Sequence, residues 1–165
     1  MTLPASRIIN GLGTLGAICS MLFALLFLQQ YLGLEPCPLC VVDRVLVISL
    51  GCIFFIATIH NPGIIGQRVY GLLATLVALT GVAVCWRHIW LQNLPEDLVP
   101  SCGPGLDYMM ETLPIGETLE IIFTASGECA DIQWSFIGLS IPELTLLAFN
   151  GFLLLALIQT FRKSN

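Results

Sequence analysis

The organisation of this chain is set by one stretch, Glu35-Pro36-Cys37-Pro38-Leu39-Cys40-Val41-Val42-Asp43-Arg44, which separates two long apolar runs. Its Cys-x-x-Cys spacing brings two sulfur atoms within reach of a disulfide bond across one tight turn. Pro38 favours the first turn of a helix, so Cys40 is expected near a helix N-terminus, where the helix dipole stabilises a thiolate. Arg44 follows Cys40 by about one helical turn and adds a positive charge on the same face. The stretch therefore predicts a redox-active dithiol at the mouth of a membrane helix.

The composition is that of an integral membrane protein. The chain has 165 residues, of which 56% are hydrophobic and 10% are charged, whereas about 25% of the residues of a soluble domain are charged. We therefore expect a lipid bilayer around it. The net charge is −5, and the sequence has no basic patch to neutralise phosphates, which argues against nucleic acid as a partner.

Four apolar runs are each long enough for a helix to cross a bilayer, which takes about 20 residues. They cover 8–28, 41–59, 69–86 and 144–161. We expect one all-α domain over 1–165, a four-transmembrane-helix bundle whose connections 29–40 and 89–140 lie on one side. A cleaved signal peptide is the alternative for the first run, but the run is longer than a usual signal sequence and no small-residue cleavage site follows it.

The basic residues predict the orientation of the bundle. Two of the six, Arg44 and Arg87, fall on the side of the cysteine-bearing connections. The other four fall on the side of the termini and the short middle connection. They are Arg7, Arg68, Arg162 and Lys163. Because the side richer in Lys and Arg is usually cytoplasmic, we expect both termini in the cytoplasm. The long connections would then lie in a bacterial periplasm, where disulfides persist.

The long connection 89–140 contains two apolar patterns at helical spacing. The apolar positions are Leu106, Met109, Met110 and Leu113, then Ile115, Leu119, Ile122 and Phe123. Acidic residues occupy the other faces, which predicts two short amphipathic helices lying in the membrane interface. These helices would hold Cys102 and Cys129, which flank them, close to the membrane. The alternative is a pair of helices packed on a small soluble subdomain.

Four cysteines lie in the connections and permit three disulfide connectivities. We expect Cys37–Cys40 and Cys102–Cys129. Two structural bridges are one alternative, and a zinc site built from all four is another. The spacing of Cys102 and Cys129 is not that of a zinc knuckle, and Arg44 would repel a cation, so we expect no metal. The other three cysteines lie inside apolar runs and are expected to pack as small hydrophobic side chains. They are Cys19, Cys52 and Cys85.

Two dithiol pairs on one face suggest a relay by thiol–disulfide exchange, and the electrons need an acceptor. The sequence has no motif for a soluble cofactor, so a quinone dissolved in the lipid is the natural acceptor, with ubiquinone favoured over menaquinone. Arg44 is expected to donate hydrogen bonds to a quinone oxygen. His88 is expected to bind the quinone or to pass a proton. The alternative for His88 is an anchor in an interfacial aromatic belt.

The motifs together resemble the DsbB family of disulfide bond formation proteins. The resemblance covers nearly the whole chain and rests on 37–44, 87–95, 101–108 and 127–129. It implies an enzyme of the bacterial inner membrane that reoxidises the periplasmic dithiol oxidase DsbA and reduces a quinone. By the same resemblance, Cys102 forms the mixed disulfide with DsbA, Cys129 then attacks Cys37, and Cys40 is left as a thiolate against the quinone ring.

The resemblance also implies that Arg44 and His88 hold the quinone. The sequence differs from the familiar family pattern at two positions, where it carries Asp43 in place of Glu and Pro38 within the Cys-x-x-Cys. One alternative enzyme is a relative of vitamin K epoxide reductase, in which the active pair is expected near the end of a late helix. A second alternative is a non-enzymatic tetraspan protein with structural disulfides. That hypothesis does not explain why Arg44 follows Cys40 by one helical turn.

Overall fold

The computed structural model describes residues 6–101, 106–124 and 127–162. These parts of the chain contain six α-helices and one small hairpin. The helices are α1 (Ser6–Leu22), α2 (Pro38–His60), α3 (Ile64–Gln92), α4 (Leu106–Thr112), α5 (Ile115–Thr124) and α6 (Ile141–Thr160). A π-helix over Phe23–Tyr31 continues α1, and 3₁₀ turns cover Glu96–Leu98 and Gly127–Ala130. The hairpin pairs β1 (Ser135–Phe136) with β2 (Leu139–Ser140).

Four of these helices are long and apolar enough to cross a membrane. They cover Ser6–Tyr31, Pro38–His60, Ile64–Gln92 and Ile141–Thr160. Large apolar side chains also lie exposed on their outer faces, among them Leu15, Leu76 and Leu154, as expected where lipid replaces water. The predicted fold class, a four-helix membrane bundle with short helices in its long connection, is confirmed. Whether α4 and α5 lie at a lipid interface stays a prediction.

The third membrane helix extends further than its apolar run. The run ends at Trp86, but α3 continues to Gln92, and the N–H of its C-cap residue Asn93 donates to the carbonyl of Trp90. Arg87 and His88 end the apolar run without ending the helix, because charged and polar residues do not break helices. Pro95, which cannot continue a helix, follows shortly after. As a result His88 lies on a helix and not in a connection.

The bundle packs α3 along α6 and α2 along both α1 and α3. Its apolar centre contains Phe54, Phe149 and Phe152, all almost fully buried. Phe149 lies against Gly81 so closely that a Cβ atom at position 81 would collide with its ring. Glycine at position 81 therefore permits the close approach of α3 and α6.

A buried amide network joins three helices at the end of the bundle that holds the termini. Asn10 Nδ2 donates to Gln67 Oε1 at 2.9 Å. Gln159 Nε2 donates to Asn10 Oδ1 at 2.9 Å and to the Ser6 carbonyl at 2.8 Å. Buried amides are costly unless they are hydrogen-bonded, so this network fixes how α1, α3 and α6 meet.

At the opposite end, α4 and α5 fold back onto the bundle. Met109 on α4 and Ile122 on α5 are buried. Both belong to one apolar cluster with Cys37 and Cys129. At Met109 and Ile122, the predicted apolar sides of the two helices therefore pack toward the cysteines and away from solvent.

Candidate functional site

The Cys-x-x-Cys pair lies at the N-terminus of α2. Cys37 is the N-cap residue and Pro38 occupies the first helical turn, as the sequence predicts. The backbone N–H of Cys40 donates to Cys37 Sγ at 3.3 Å, and the two sulfur atoms are 2.7 Å apart. The turn therefore holds the two sulfurs where a disulfide bond can form with little movement of the backbone.

A third cysteine joins this pair from a distant part of the chain. Cys129 lies in the 3₁₀ turn Gly127–Ala130, which packs against α3, and it is 1% exposed. Its Sγ atom lies within 4.8 Å of Cys37 Sγ. Cys102, the fourth predicted site cysteine, lies outside the described residues, so its pairing with Cys129 stays a prediction.

The environment of Cys37 keeps its sulfur protonated in the dithiol form. Hydrogen bonds with Cys129 and with Cys40, together with burial, raise the pKa of Cys37 far above the ordinary value of a thiol. The Cys37 thiol donates to Cys40 Sγ. The raised pKa therefore disfavours a thiolate at Cys37, and Cys40 is the more exposed sulfur of the pair.

His88 faces the cysteines from α3. Its imidazole is 3% exposed, and its Nε2 atom is 3.8 Å from Cys37 Sγ. The neighbouring Trp90 is exposed, and the Arg87 guanidinium lies 4.4 Å from its ring centroid. Arg87 and Trp90 thus occupy the outer face of α3, whereas His88 is directed into the bundle.

Cys40 opens on a mainly apolar cavity of about 350 Å³. Arg44, His88 and Asp43 supply polar groups to its lining, and side chains of α1 and α6 supply most of the apolar wall. The volume lies in the range of small-molecule sites, which are mostly apolar with a few convergent polar groups. The cavity therefore has the size and lining for an apolar ring that carries oxygen atoms.

Arg44 is oriented by the π-helical segment of α1. Its Nη1 atom donates to Gln29 Oε1 at 2.8 Å. A π-helical segment inside a membrane helix is uncommon and often marks a functional site. The sequence analysis did not identify Gln29 as a site residue. The signal that could have identified it is a polar residue directly after the apolar run 8–28.

Asp43 and Trp134 are two further cavity residues to which the sequence interpretation gave no role. Asp43 is buried, and the Cys85 thiol donates to its Oδ1 atom at 3.6 Å. Trp134 lies with its ring 5.9 Å from that of Phe27 and 6.1 Å from that of Phe136 on β1. The hairpin β1–β2 therefore holds Trp134 against α1, where it closes one side of the cavity.

The chain is similar to known proteins of one family. A family model described as "Disulfide bond formation protein DsbB" matches residues 6–159. A protein of Saccharophagus degradans named "Disulfide bond formation protein B" is 49% identical over 144 residues, which is 87% of each chain. One of Stutzerimonas stutzeri with the same name is 40% identical over 163 residues, 99% of each chain.

The resemblance found from the sequence is therefore confirmed over nearly the whole length of the chain. Together, the four membrane-spanning helices and the family match make this a multi-pass membrane protein with disulfide-forming redox activity. It belongs to the DsbB family of disulfide bond formation proteins.

Proposed function

We propose that this protein is a protein-dithiol:quinone oxidoreductase of the bacterial inner membrane. It takes two electrons from a reduced, DsbA-type periplasmic dithiol oxidase and passes them to a quinone of the membrane. The observation that carries the proposal is the position of Cys37, which has Cys40 Sγ at 2.7 Å and Cys129 Sγ within 4.8 Å. The excess of Lys and Arg on the side of the termini supports cytoplasmic termini and periplasmic cysteines.

The thiol steps follow from the arrangement of the sulfurs. A thiolate of the partner attacks a Cys102–Cys129 disulfide at Cys102, and Cys129 leaves as a thiolate. Cys129 then attacks Cys37 and displaces Cys40. Both exchanges conserve electrons, because each forms one sulfur–sulfur bond and breaks another. The second thiolate of the partner resolves the mixed disulfide, and the returning Cys102 thiolate then displaces Cys37 from Cys129. The two electrons of the partner dithiol thereby reach Cys37/Cys40, and the Cys102–Cys129 disulfide is restored.

The residues around Cys40 fit a quinone acceptor. The cavity is mainly apolar, Arg44 offers a charged hydrogen-bond donor held by Gln29, and His88 offers a second polar group from α3. A bound quinone supplies a two-electron, two-proton acceptor. The guanidinium of Arg44 stabilises negative charge at an oxygen in the cavity, since a charge-assisted donor is worth more where water is excluded.

The energy balance also favours a strong acceptor. The disulfide/dithiol couple of a DsbA-type protein has a reduction potential of about −120 mV. Its reoxidation by a weak oxidant therefore has little or no favourable free energy. A quinone of higher potential provides the drive, at about 1.4 kcal/mol for each 30 mV.

Anaerobic turnover tests the proposal. The purified full-length protein is mixed with a reduced DsbA-type dithiol and a soluble ubiquinone analogue, and the loss of quinone absorbance is followed. We expect reduction of one quinone per partner disulfide formed, and none with Cys40→Ser. A matched control is Cys52→Ser, because Cys52 is exposed on the outer face of α2 and is absent from the cavity lining. No quinone loss in the correctly folded wild-type protein, with ubiquinone or menaquinone analogues, would refute the proposal.

A further inference from the structure

Three side chains of types that can bind a metal converge where Cys129 approaches Cys37. The ligand atoms of Cys37, His88 and Cys129 all lie within 4.8 Å of one another. Their side chains are 9%, 3% and 1% exposed, respectively. Two thiols and one imidazole, shielded from bulk water, form a donor set that suits a borderline or soft cation such as zinc.

The distances within this cluster are close to those of a tetrahedral zinc site. With zinc–sulfur bonds of about 2.3 Å and zinc–nitrogen bonds of about 2.0 Å, neighbouring ligand atoms lie about 3.5–3.8 Å apart. The separation of Cys37 Sγ and His88 Nε2 is 3.8 Å. Cys129 Sγ lies within 4.8 Å of Cys37 Sγ and of one ring nitrogen of His88, so small side-chain rotations complete the three-ligand geometry.

The imidazole of His88 contacts both cysteines. Its Nδ1 atom is buried and has no hydrogen-bond partner among residues 6–101, 106–124 and 127–162. A buried structural histidine normally has both ring nitrogens satisfied. Nε2 faces Cys37 Sγ, and the ring also contacts the backbone of Cys129, so the imidazole is placed against both cysteines.

Cys40 is not part of this ligand set. Its Sγ atom is 2.7 Å from Cys37 Sγ, which is about 1 Å shorter than the sulfur–sulfur edge of a zinc tetrahedron. Arg44, the cation nearest to it in sequence, donates to Gln29 on the π-helix that continues α1. Two thiolates and a neutral imidazole carry a charge of −2, which matches a divalent cation.

We propose that the reduced relay is a redox-gated binding site for a zinc-type divalent cation, with Cys37, Cys129 and His88 as its ligands. The inference rests on the proposed function: both Cys37 and Cys129 are thiols when a second partner dithiol reduces Cys102–Cys129 before the quinone has reoxidised Cys37/Cys40. Binding replaces two S–H protons with two metal–sulfur bonds and releases both protons, and no electrons move. A disulfide offers no thiolate, so oxidation closes the site. Bound metal holds both sulfurs of the exchange step and therefore stalls the relay.

Cobalt(II) titration tests the site, because thiolate-bound cobalt absorbs strongly in the near ultraviolet. The background variant carries Cys19→Ala, Cys52→Ala, Cys85→Ser and Cys102→Ser, which leaves three cysteines in the full-length chain. After reduction by a phosphine, we expect about one equivalent of cobalt to bind, with no signal from the oxidised protein. Cys40→Ser should keep the signal, and Cys37→Ser and Cys129→Ser should lose it.

Two variants of His88 distinguish the loss of a ligand from the loss of the fold. His88→Ala and His88→Gln should each weaken cobalt binding at least tenfold, while unchanged thermal unfolding of either variant shows that the fold is intact. An unchanged cobalt affinity in a folded His88 variant, or a signal that survives Cys129→Ser, would overturn the assignment.

Quinone turnover of the wild-type protein separates the two proposals. Metal-free protein is assayed in parallel, and zinc is then added and removed with a chelator. We expect zinc to inhibit reversibly, and only after the dithiol substrate has reduced the relay. Turnover without any cobalt binding would refute the metal site alone. Cobalt binding without turnover would refute the oxidoreductase proposal and leave the metal site standing.

Discussion

Cys129 Sγ lies within 4.8 Å of Cys37 Sγ, although most of the long outer connection and the whole of α3 separate the two residues in the chain. The contact exists because the turn Gly127–Ala130 packs against α3, while α4 and α5 cover the same cluster with Met109 and Ile122. The fold therefore holds together the two cysteines that the proposed relay would join by a disulfide.

The reactivities of Cys37 and Cys40 toward an alkylating agent should differ. In the reduced protein at pH 7 we expect Cys40 to be alkylated at least tenfold faster, because the pKa of Cys37 is raised and its sulfur is buried. Only a thiolate reacts, so the Cys37 rate should begin to rise only as the pH passes above the ordinary thiol range of about 8.5. Mass spectrometry of peptides quenched at several pH values gives both rates. Equal rates at pH 7 would contradict the assignment.

Arg44→Ala should weaken the use of quinone without stopping thiol exchange. A charged hydrogen bond contributes about 1.5–3 kcal/mol, so we expect the KM for the quinone to rise about tenfold or more. The rate at which the partner dithiol reduces Cys102–Cys129 should stay unchanged. Arg87→Ala is the matched control, because Arg87 lies over Trp90 and donates to the Phe123 carbonyl, away from the cavity. An Arg44→Ala enzyme with the wild-type KM would remove Arg44 from the acceptor site.

Trp134→Ala should also raise the KM for the quinone. The indole closes one side of the cavity and contacts Phe23 and Phe27 on α1, so its removal opens the cavity and loosens its wall. We expect an increase of about tenfold, from the loss of about 1–2 kcal/mol of ring contact. Trp86→Ala, which removes an indole from the exposed face of α3, is the control. Equal effects of the two substitutions would show that Trp134 has no specific role.

Asn10→Ala should lower stability and leave catalysis intact. The substitution removes the hydrogen bonds with Gln67 and Gln159. It leaves Gln67 Oε1 without this donor and Gln159 with only its bond to the Ser6 carbonyl, at a cost of about 1–3 kcal/mol. Thermal unfolding in detergent measures the loss, and quinone turnover below the unfolding temperature measures the activity. Because the network lies at the opposite end of the bundle from Cys37, a large fall in turnover of the folded variant would contradict this separation.

The four membrane helices, the two short helices and the position of the dithiol could all be predicted from the sequence. Apolar runs of about 20 residues have few stable alternatives to a membrane helix, and the spacing of Met109 and Ile122 within their apolar patterns is helical. Pro38 in the first turn of α2 followed from the preference of proline for that position.

The contacts between elements could not be predicted in this way. A membrane helix is apolar toward both lipid and protein, so its sequence pattern does not show which face turns inward. The inward direction of His88, the hydrogen bond between Arg44 and Gln29, and the network around Asn10 all depend on that rotation. The hairpin was missed because its strands have two residues each, and its turn places Ile137 at φ 54°, which a β-branched residue rarely adopts.

The three cysteines outside the relay should be dispensable. We expect Cys19→Ala, Cys52→Ala and Cys85→Ser together to keep turnover within about threefold of wild type, since serine retains the hydrogen-bond donor to Asp43. Quinone turnover of this triple variant checks the expectation. An inactive but folded triple variant would show that one of these thiols takes part in the reaction.

Oxidation of a two-cysteine protein tests the contact on which the relay depends. Adding Cys40→Ser and Cys102→Ser to the triple variant leaves only Cys37 and Cys129, and a mild thiol oxidant is then applied. A matched protein that keeps Cys40 and Cys129, with Cys37 replaced by Ser, is oxidised alongside. We expect rapid formation of a Cys37–Cys129 disulfide, seen as a joined peptide by mass spectrometry, and slower bridging in the matched protein. Two thiols that stay open to alkylation in the folded protein, or equal rates in both proteins, would contradict the relay.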